Sequence, residues 1–151
     1  HKMNIETLLP FEHIVLGLEA TTKEEVVRQL AKILVIEGIV QSENEYVQSV
    51  MEREDHSTTG IGNNIAIPHG KSRAVSEPAI VFARLKAPLE WQSLDDEPVT
   101  VVIMLAIPEE HQGDTHLRIL SEIAMKLMDE DITEALKSET DKEIIAKLLS
   151  E

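Results

Sequence analysis

Hydrophobic and polar residues in the first third of the chain follow the 3.6-residue period of amphipathic helices. Thr21 and Thr22 each lie three residues before a glutamate, and Ser42 lies three residues before Glu45, a spacing typical of helix N-termini. We therefore predict two helices, the first ending at Gly38 and the second near residue 53. Their apolar faces are formed by Val26, Val27, Leu30, Ile33 and Leu34, and by Tyr46, Val47, Val50 and Met51.

The middle of the chain carries short apolar runs between polar segments. Residues 54–64 are rich in Ser, Thr, Gly and Asn and are predicted to form a loop. Residues 65–67 are a short strand candidate that Pro68 ends. Residues 79–85 and 99–106 are continuously apolar, and prolines flank both runs. Continuous apolarity predicts strands that are covered on both faces.

The last third returns to helical periodicity. One helix is predicted to begin at Asp114 or Thr115, a shorter one covers 131–137, and Thr140 with Glu143 is predicted to cap the last. These elements predict a single α/β domain with a central β-sheet and helices on both faces. The predicted apolar faces are Leu117, Leu120, Ile123, Ala124 and Leu127, and then Ile144, Ile145, Leu148 and Leu149.

Composition narrows the class of protein. A chain of 151 residues is the size of one compact domain, and the absence of cysteine excludes disulfides, thiolate metal sites and cysteine nucleophiles. Lys and Arg number 14 against 28 Asp and Glu, so the formal charge is 14 − 28 = −14. Because the few basic residues are not clustered, nucleic acid and anionic membranes are poor partners and a basic protein is a good one.

Localisation signals are sparse. No apolar run approaches the ~18 residues that span a bilayer, so no direct membrane insertion is expected. His1-Lys2-Met3 is interpreted as a tag remnant that ends at a native methionine, which leaves residues 4–151 as the domain. We expect a cytoplasmic protein.

The candidate chemistry lies in residues 59–72, where a glycine-rich loop precedes a short strand and His69 follows it. Gly60 and Gly62 permit close backbone approach, and successive amides over Gly60-Ile61-Gly62-Asn63 suit an anion-binding nest. Pro68 fixes the backbone beside the imidazole. The alternative is a tight turn with a buried, hydrogen-bonded histidine.

Residues 59–69 read Thr-Gly-Ile-Gly-Asn-Asn-Ile-Ala-Ile-Pro-His. This run resembles the signature of the phosphotransferase system IIA domains of the fructose/mannitol type, including their nitrogen-regulatory relatives. Further likenesses are Arg53-Glu54, the segment from Trp91 to Val99, and His116-Leu117 with Leu120. The resemblance runs in order from about Ile5 to Leu149.

The resemblance implies a mixed β-sheet flanked by helices and a histidine that carries a phosphoryl group. The histidine-containing phosphocarrier protein would donate the group to His69. A IIB component would accept it and phosphorylate a fructose-like sugar during import by the membrane IIC component. Arg53 and His116 would be the supporting residues, and no cofactor or metal is implied.

The chemistry of these side chains is compatible with those roles. A histidine with its ordinary pKa of ~6.5 is mostly neutral in the cytoplasm, so its nitrogen lone pair can attack phosphorus. Arg53 offers a planar, permanently charged fork. His116 is predicted in the first turn of a helix, where the dipole favours anions and a neutral ring can donate one hydrogen bond. Both side chains otherwise suit an ordinary helix surface.

The remaining histidines carry no motif. His13 and His56 lie in polar surroundings, and we expect both at the surface. A cluster of His and carboxylate residues also permits a metal site and hence a metal-dependent hydrolase, although it lacks the helical i, i+4 pairing of zinc hydrolases. That cluster comprises Glu109, Glu110, His111, Asp114 and His116.

Two phosphocarrier functions therefore stand beside the third hypothesis of a metal-dependent hydrolase. The first is a transport phosphocarrier, whose apolar contact with its partner would come from Ile61, Ile65 or Ile67 if any of them is exposed. The second is a nitrogen-branch protein or a IIA module of a transcription regulator, in which the phosphohistidine carries a signal.

Overall fold

The architecture is built from thirteen short elements in a computed structural model, which describes residues 5–109 and 115–151, with side chains in the second range from Leu117 onward. The interpretation of residues 1–3 as a tag lies outside the described residues. In chain order the elements are α1 (Ile5–Leu8), a 3-10 turn (Phe11–His13), β1 (Ile14–Leu18), α2 (Lys23–Ile36), α3 (Glu43–His56), β2 (Gly60–Gly62), β3 (Ile65–Ala66), β4 (His69–Ser72), β5 (Ala79–Leu89), β6 (Val99–Pro108), α4 (Thr115–Lys126), α5 (Glu130–Ser138) and α6 (Lys142–Ser150).

The six strands form one mixed sheet in the order β1-β5-β6-β3-β2, and β4 also pairs with β6. Strands β5 and β6 are antiparallel and form the centre, while β1 runs parallel to β5. β3 and β4 both run parallel to β6, one after the other along the same edge. β4 therefore begins in the middle of the sheet, at Leu105 of β6, and its first residue is His69.

Helices cover both faces of the sheet, as the continuous apolarity of β5 and β6 predicts. Along β6, Val102 and Met104 pack on α2 and α3, and Ile103 and Leu105 pack on the terminal helices. Each buried Val, Leu or Ile stabilises the fold by about 1.5–3 kcal/mol. Tyr46 also ties α3 to the sheet, because its hydroxyl donates a 2.7 Å hydrogen bond to the Leu105 carbonyl. Burial raises the pKa of this hydroxyl, so it remains a neutral donor.

The two predicted N-terminal caps are confirmed. The Thr22 hydroxyl accepts from the Glu25 amide at 3.1 Å, and the Ser42 hydroxyl accepts from the Glu45 amide at 3.3 Å. The predicted end of the second helix is wrong, because α3 continues through Glu54 to His56. The extra turn is stabilised by tertiary contacts of Glu54, which local sequence patterns do not reveal.

Two predictions in the last third also need correction. The cap of α6 is Asp141 rather than Thr140, since the Asp141 carboxylate accepts from the amides of the first turn. In α4 the buried face is rotated from the predicted one, and Ile119 replaces Leu117, which is 58% exposed. Ala124, on the predicted apolar face of α4, is also exposed. In α6, Ile144 was predicted to be buried and is exposed as well.

Three strands are absent from the sequence-based prediction: β1, β2 and β4. All three have five residues or fewer and contain glycine, which has a low strand propensity. The pairing partners of β1 and β4, which are β5 and β6, lie far away in the sequence. Within the described residues, no helix has the length and apolarity to cross a membrane.

Candidate functional site

Two hydrogen bonds to the carbonyl groups of the preceding residues hold His69 at the start of β4. The Pro68 carbonyl accepts from the Leu105 amide at 3.0 Å, which fixes the start of β4 against β6. The His69 Nδ1 lies 2.9 Å from the Ile67 carbonyl oxygen, so Nδ1 carries the hydrogen and donates it. In the neutral ring this tautomer leaves the lone pair on Nε2.

The half-buried His69 ring lines an open cavity of about 620 Å³ between α3 and β4. Helix α4 closes one side with two leucines. Basic side chains, one carboxylate and small residues form the wall, so the cavity is polar. Its volume is sufficient for a phosphoryl group. Its lining residues are Ser49, Glu52, Arg53, His56, His69, Gly70, Lys71, Leu117 and Leu120.

Arg53 reaches this cavity from the last turn of α3, and the structure thus brings it together with His69. Its Nη1 donates to the Ser57 carbonyl at 2.9 Å and lies 3.4 Å from the Ser57 hydroxyl, which holds the guanidinium beside the helix end. Within residues 5–109 and 117–151, Nε and Nη2 have no hydrogen-bond partner. A planar fork with N–H donors to spare is suited to the oxygens of a phosphoryl group.

Lys71 and His56 are cavity residues that the sequence analysis did not assign to the site. Lys71 lies two residues after His69 on β4 and thus on the same face of the strand. His56 is exposed, as predicted, and it is the last residue of α3. The sequence signal for Lys71 was its period-2 spacing from His69, whereas His56 required knowledge that α3 extends past residue 53.

Gly70 sets the distance between α3 and β4. A Cβ at this position would overlap the Ser49 hydroxyl and lie 2.8 Å from Val50 Cγ2 and 3.0 Å from the Val50 amide nitrogen. Any larger residue must push α3 away from β4, and Arg53 and His69 lie on these two elements. Gly70 therefore supports the geometry of the cavity.

The predicted phosphate-binding loop lies elsewhere on the sheet edge. Gly60, Ile61 and Gly62 form β2, and neither they nor Asn63 line the His69 cavity. The Gly60 amide donates to the Thr58 hydroxyl at 3.1 Å, and the Asn63 amide donates to the Asp95 carboxylate at 3.2 Å. Asn63 has a φ of 56° and Gly62 a φ of 106°, values that favour Asn and Gly in this turn. The phosphate-binding role of these four residues stays a prediction.

The apolar residues expected at the partner interface differ in their exposure to solvent. Ile61 is 41% exposed, whereas Ile65 and Ile67 are buried in the core. Leu117, at the wall of the cavity, is exposed as well. Leu117 is thus an exposed apolar residue at the His69 cavity, whereas Ile61 is exposed on β2 outside the cavity lining.

His116 lies near the start of α4, as predicted, and its side chain lies outside the described residues. The following turn contributes Leu117 and Leu120 to the cavity wall. The stabilising role assigned to His116 stays a prediction. Of the remaining His and carboxylate cluster, Glu109 is exposed and residues 110–114 lie outside the described residues. Among the described residues, no group of three or more His, Asp or Glu side chains is arranged to hold a metal.

The prediction of a surface position for His13 is wrong. The residue is 2% exposed, its Nδ1 lies 2.8 Å from the Ile80 carbonyl oxygen and its Nε2 lies 2.8 Å from Glu37 Oε1. These partners are 67 and 24 residues away in the sequence, so the local polarity around His13 carried no sign of them.

The fold and the site define an α/β domain with one oriented histidine in an open, cation-bearing cavity. The sequence matches the family described as "Phosphoenolpyruvate-dependent sugar phosphotransferase system, EIIA 2" over residues 7–151, and the chain belongs to that family.

Individual relatives agree with the family match. The "PTS system fructose-specific EIIA component" of Haloferax volcanii is 35% identical over 98% of this chain and 96% of its own length. The nitrogen regulatory protein IIA-Ntr of Neisseria meningitidis superposes with a TM-score of 0.88, at 30% identity, over 96% of this chain and 98% of that one.

A second solved structure contains a further component. It is the complex of enzyme IIA mannitol with phosphorylated enzyme IIB mannitol from Escherichia coli, with a TM-score of 0.76 at 30% identity over 91% of this chain and 94% of that one. Several longer curated relatives match as well, and the chain spans 17–23% of their length.

Proposed function

We propose that this chain is a phosphocarrier that accepts a phosphoryl group on Nε2 of His69 and passes it on. The observation that carries the proposal is the 2.9 Å hydrogen bond from His69 Nδ1 to the Ile67 carbonyl. It sets the tautomer in which Nε2 holds the lone pair, in the wall of a cavity that also contains the Arg53 fork. Positioning and charge stabilisation are what phosphoryl transfer mainly requires.

The transfer balances without any proton exchange. The Nε2 lone pair of His69 forms a bond to phosphorus, and the P–N bond of a donor phosphoimidazolium breaks. The donor ring leaves as a neutral imidazole with the electron pair of that bond. The His69 ring then carries phosphorus on Nε2 and hydrogen on Nδ1, and the Ile67 carbonyl dipole stabilises its positive charge.

Three neighbouring side chains would stabilise the transferring group. Arg53 would bind phosphoryl oxygens through its N–H groups that have no partner in the described structure, and Lys71 would add a second positive charge. His116 is proposed as a hydrogen-bond donor on the basis of the family resemblance. Removal of one such donor typically costs ~10²–10³ in rate and leaves the reaction possible.

The donor would be the histidine-containing phosphocarrier protein and the acceptor a IIB component, which feeds a IIC membrane partner for import of a fructose-like sugar. The name of the Haloferax relative supports the sugar, and the mannitol IIA–IIB complex supports the acceptor. The formal charge of −14 favours basic partners. These partners would place the chain in the cytoplasm.

A regulatory function is the second candidate. The observation that favours it is the TM-score of 0.88 with the nitrogen regulatory protein of Neisseria meningitidis. In that case the phosphoryl group on His69 would act as a signal and would not be delivered to IIB. Rapid loss of label from the phosphorylated chain to a purified fructose-type IIB supports transport, and retention of label supports regulation.

The experiment that tests the acceptor is incorporation of labelled phosphate from phosphoenolpyruvate through enzyme I and the phosphocarrier protein. We expect wild-type chain to become labelled with an acid-labile, base-stable phosphate, and His69→Gln to take up none at any time. His56→Gln tests the other described histidine of the cavity and should still accept label. A labelled, folded His69→Gln protein or an acid-stable phosphate would refute the proposal.

A further inference from the structure

We infer that Glu54 is a positioning residue that holds both His69 and Arg53 in the geometry for phosphoryl transfer. Glu54 follows Arg53 directly on α3, yet its side chain turns away from the cavity and is only 3% exposed. The rate part of this inference rests on the proposed function of His69. The structural part concerns the orientation of the His69 ring and stands by itself.

Four donors converge on the buried carboxylate. The Thr59 amide donates to Oε2 at 2.8 Å and the Thr59 hydroxyl donates to Oε1 at 2.5 Å. The Trp91 indole N–H donates to Oε2 at 3.1 Å, and the Lys23 ammonium lies 3.5 Å from the same oxygen. A buried group that faces donors alone suits a carboxylate, which accepts at both oxygens and donates at neither.

The same carboxylate is connected to the His69 ring through three consecutive hydrogen bonds. Glu54 accepts from the Thr59 amide, the Thr59 carbonyl accepts from the Ile67 amide at 2.9 Å, and the Ile67 carbonyl accepts from His69 Nδ1 at 2.9 Å. Each bond fixes the position of the backbone segment that makes the next one, so the link between Glu54 and the His69 ring is one of position. Glu54 therefore holds in place the segment that contains the Ile67 carbonyl, which selects the His69 tautomer.

The connection to Arg53 is through the helix itself. Thr59 lies beyond the end of α3, so the Glu54–Thr59 bonds close the last turn that carries Arg53 and His56. Trp91 is fully buried, and its indole anchors that turn to the segment between β5 and β6. One buried side chain thus fixes the position of the nucleophile and of the cation that faces it. A displacement of about 1 Å in such a pair can cost on the order of 10²-fold in rate.

The test replaces Glu54 by Gln, which preserves shape and removes the charge. The glutamine NH2 group can then face the Thr59 hydroxyl, which must reverse from donor to acceptor, and the charge-assisted bond from the Thr59 amide becomes a weaker, neutral one. We expect phosphoryl transfer to His69 to slow by about 10–100-fold in kcat with little change in the KM for the phosphocarrier protein. Long-range ¹H–¹⁵N spectra of the histidine rings should show His69 shifting from the Nδ1-protonated form to a mixture of tautomers.

Matched variants separate positioning from stability. Thr59→Ser keeps both bonds to Glu54 and should behave as wild type, whereas Thr59→Val loses the hydroxyl bond and should be intermediate. Leu149→Ala removes a buried side chain on the opposite face of the sheet and should lower the melting temperature without changing the His69 tautomer or the transfer rate. If Glu54→Gln fails to fold, Thr59→Val carries the test.

The outcomes are distinguishable. A folded Glu54→Gln or Thr59→Val protein with wild-type tautomer and rate overturns the inference, and so does an equal loss of rate in Leu149→Ala. If wild-type chain accepts no phosphate at all, the proposed function fails. The tautomer spectra of the variants then still decide whether Glu54 orients His69.

Discussion

The surroundings of His13 and His69 can be compared directly, because both rings are anchored in the same way. His13 Nδ1 lies 2.8 Å from the Ile80 carbonyl and His69 Nδ1 lies 2.9 Å from the Ile67 carbonyl. The two regions differ in the surroundings of Nε2 and in the solvent exposure of the ring. His13 Nε2 lies against the Glu37 carboxylate in a 2% exposed residue, whereas the half-buried His69 lines a cavity beside Arg53.

A hydrogen bond that anchors a histidine ring does not by itself make the ring reactive. Both nitrogens of His13 lie within hydrogen-bond distance of oxygen atoms, so neither is open to an incoming group. The ring joins the 3-10 turn, β5 and the end of α2, and its contribution is to stability. At His69 the Ile67 carbonyl sets the tautomer through Nδ1, and the neighbouring cations suit an incoming phosphoryl anion.

The largest effect is expected from making the same substitution in both regions. His69→Gln should lose all phosphate incorporation and keep its melting temperature within a few degrees, since partly exposed sites contribute little to stability. His13→Gln should still accept phosphate and lose about 2 kcal/mol, or about 4–8 °C in melting temperature, because a buried acceptor loses its donor. Labelling and thermal unfolding of both variants measure this. Loss of labelling in folded His13→Gln would remove the distinction between the two regions.

A smaller effect is expected from the side chains that would face the phosphoryl group. His116→Ala should remain a substrate for labelling with a rate lowered by ~10²–10³, since one stabilising donor is removed. Arg53→Lys should be a milder version of the same defect, because an ammonium replaces a fork but keeps the charge. The time course of labelling and the chase into IIB report both. Complete loss of labelling in folded His116→Ala would assign that residue a covalent role and contradict the one proposed.

The smallest effect is expected from two glycines, one in each region. Gly70→Ala should destabilise the protein by about 1–3 kcal/mol through overpacking of α3 on β4, and it should also slow labelling. Gly17 lies at a φ of 82° on β1, and a Cβ added there would meet nothing within 4 Å, so Gly17→Ala should cost about 1–2 kcal/mol from backbone strain alone. Chemical denaturation gives both values. A labelling rate that falls equally in the two variants would show that the α3–β4 distance does not matter.

Local sequence patterns predicted the elements that depend on local interactions. Thr22 and Ser42 cap their helices as predicted, because a capping hydroxyl bonds to an amide only three residues away. The apolar runs that became β5 and β6 indicated a sheet covered on both faces. The Thr-Gly-Ile-Gly signature directed attention to His69, and the Arg-Glu pair directed it to Arg53, which the fold does bring to the same cavity.

The arrangement around these residues was decided by contacts between distant segments. Helix α4 exposes Leu117, because the packing of the helix on the sheet selects its rotation. His13 was wrongly predicted to lie at the surface, because its partners Ile80 and Glu37 are remote in the sequence.

Local sequence was sufficient to predict the N-terminal caps of α2 and α3, the two central strands and the identity of the candidate nucleophile, because capping, apolar runs and motifs are properties of neighbouring residues. The inclusion of Glu54 in α3 and its bonds to Thr59 and Trp91 depend on contacts between separate segments of the fold. A buried carboxylate is stable only where several donors converge on it, and here they come from three separate segments of the chain.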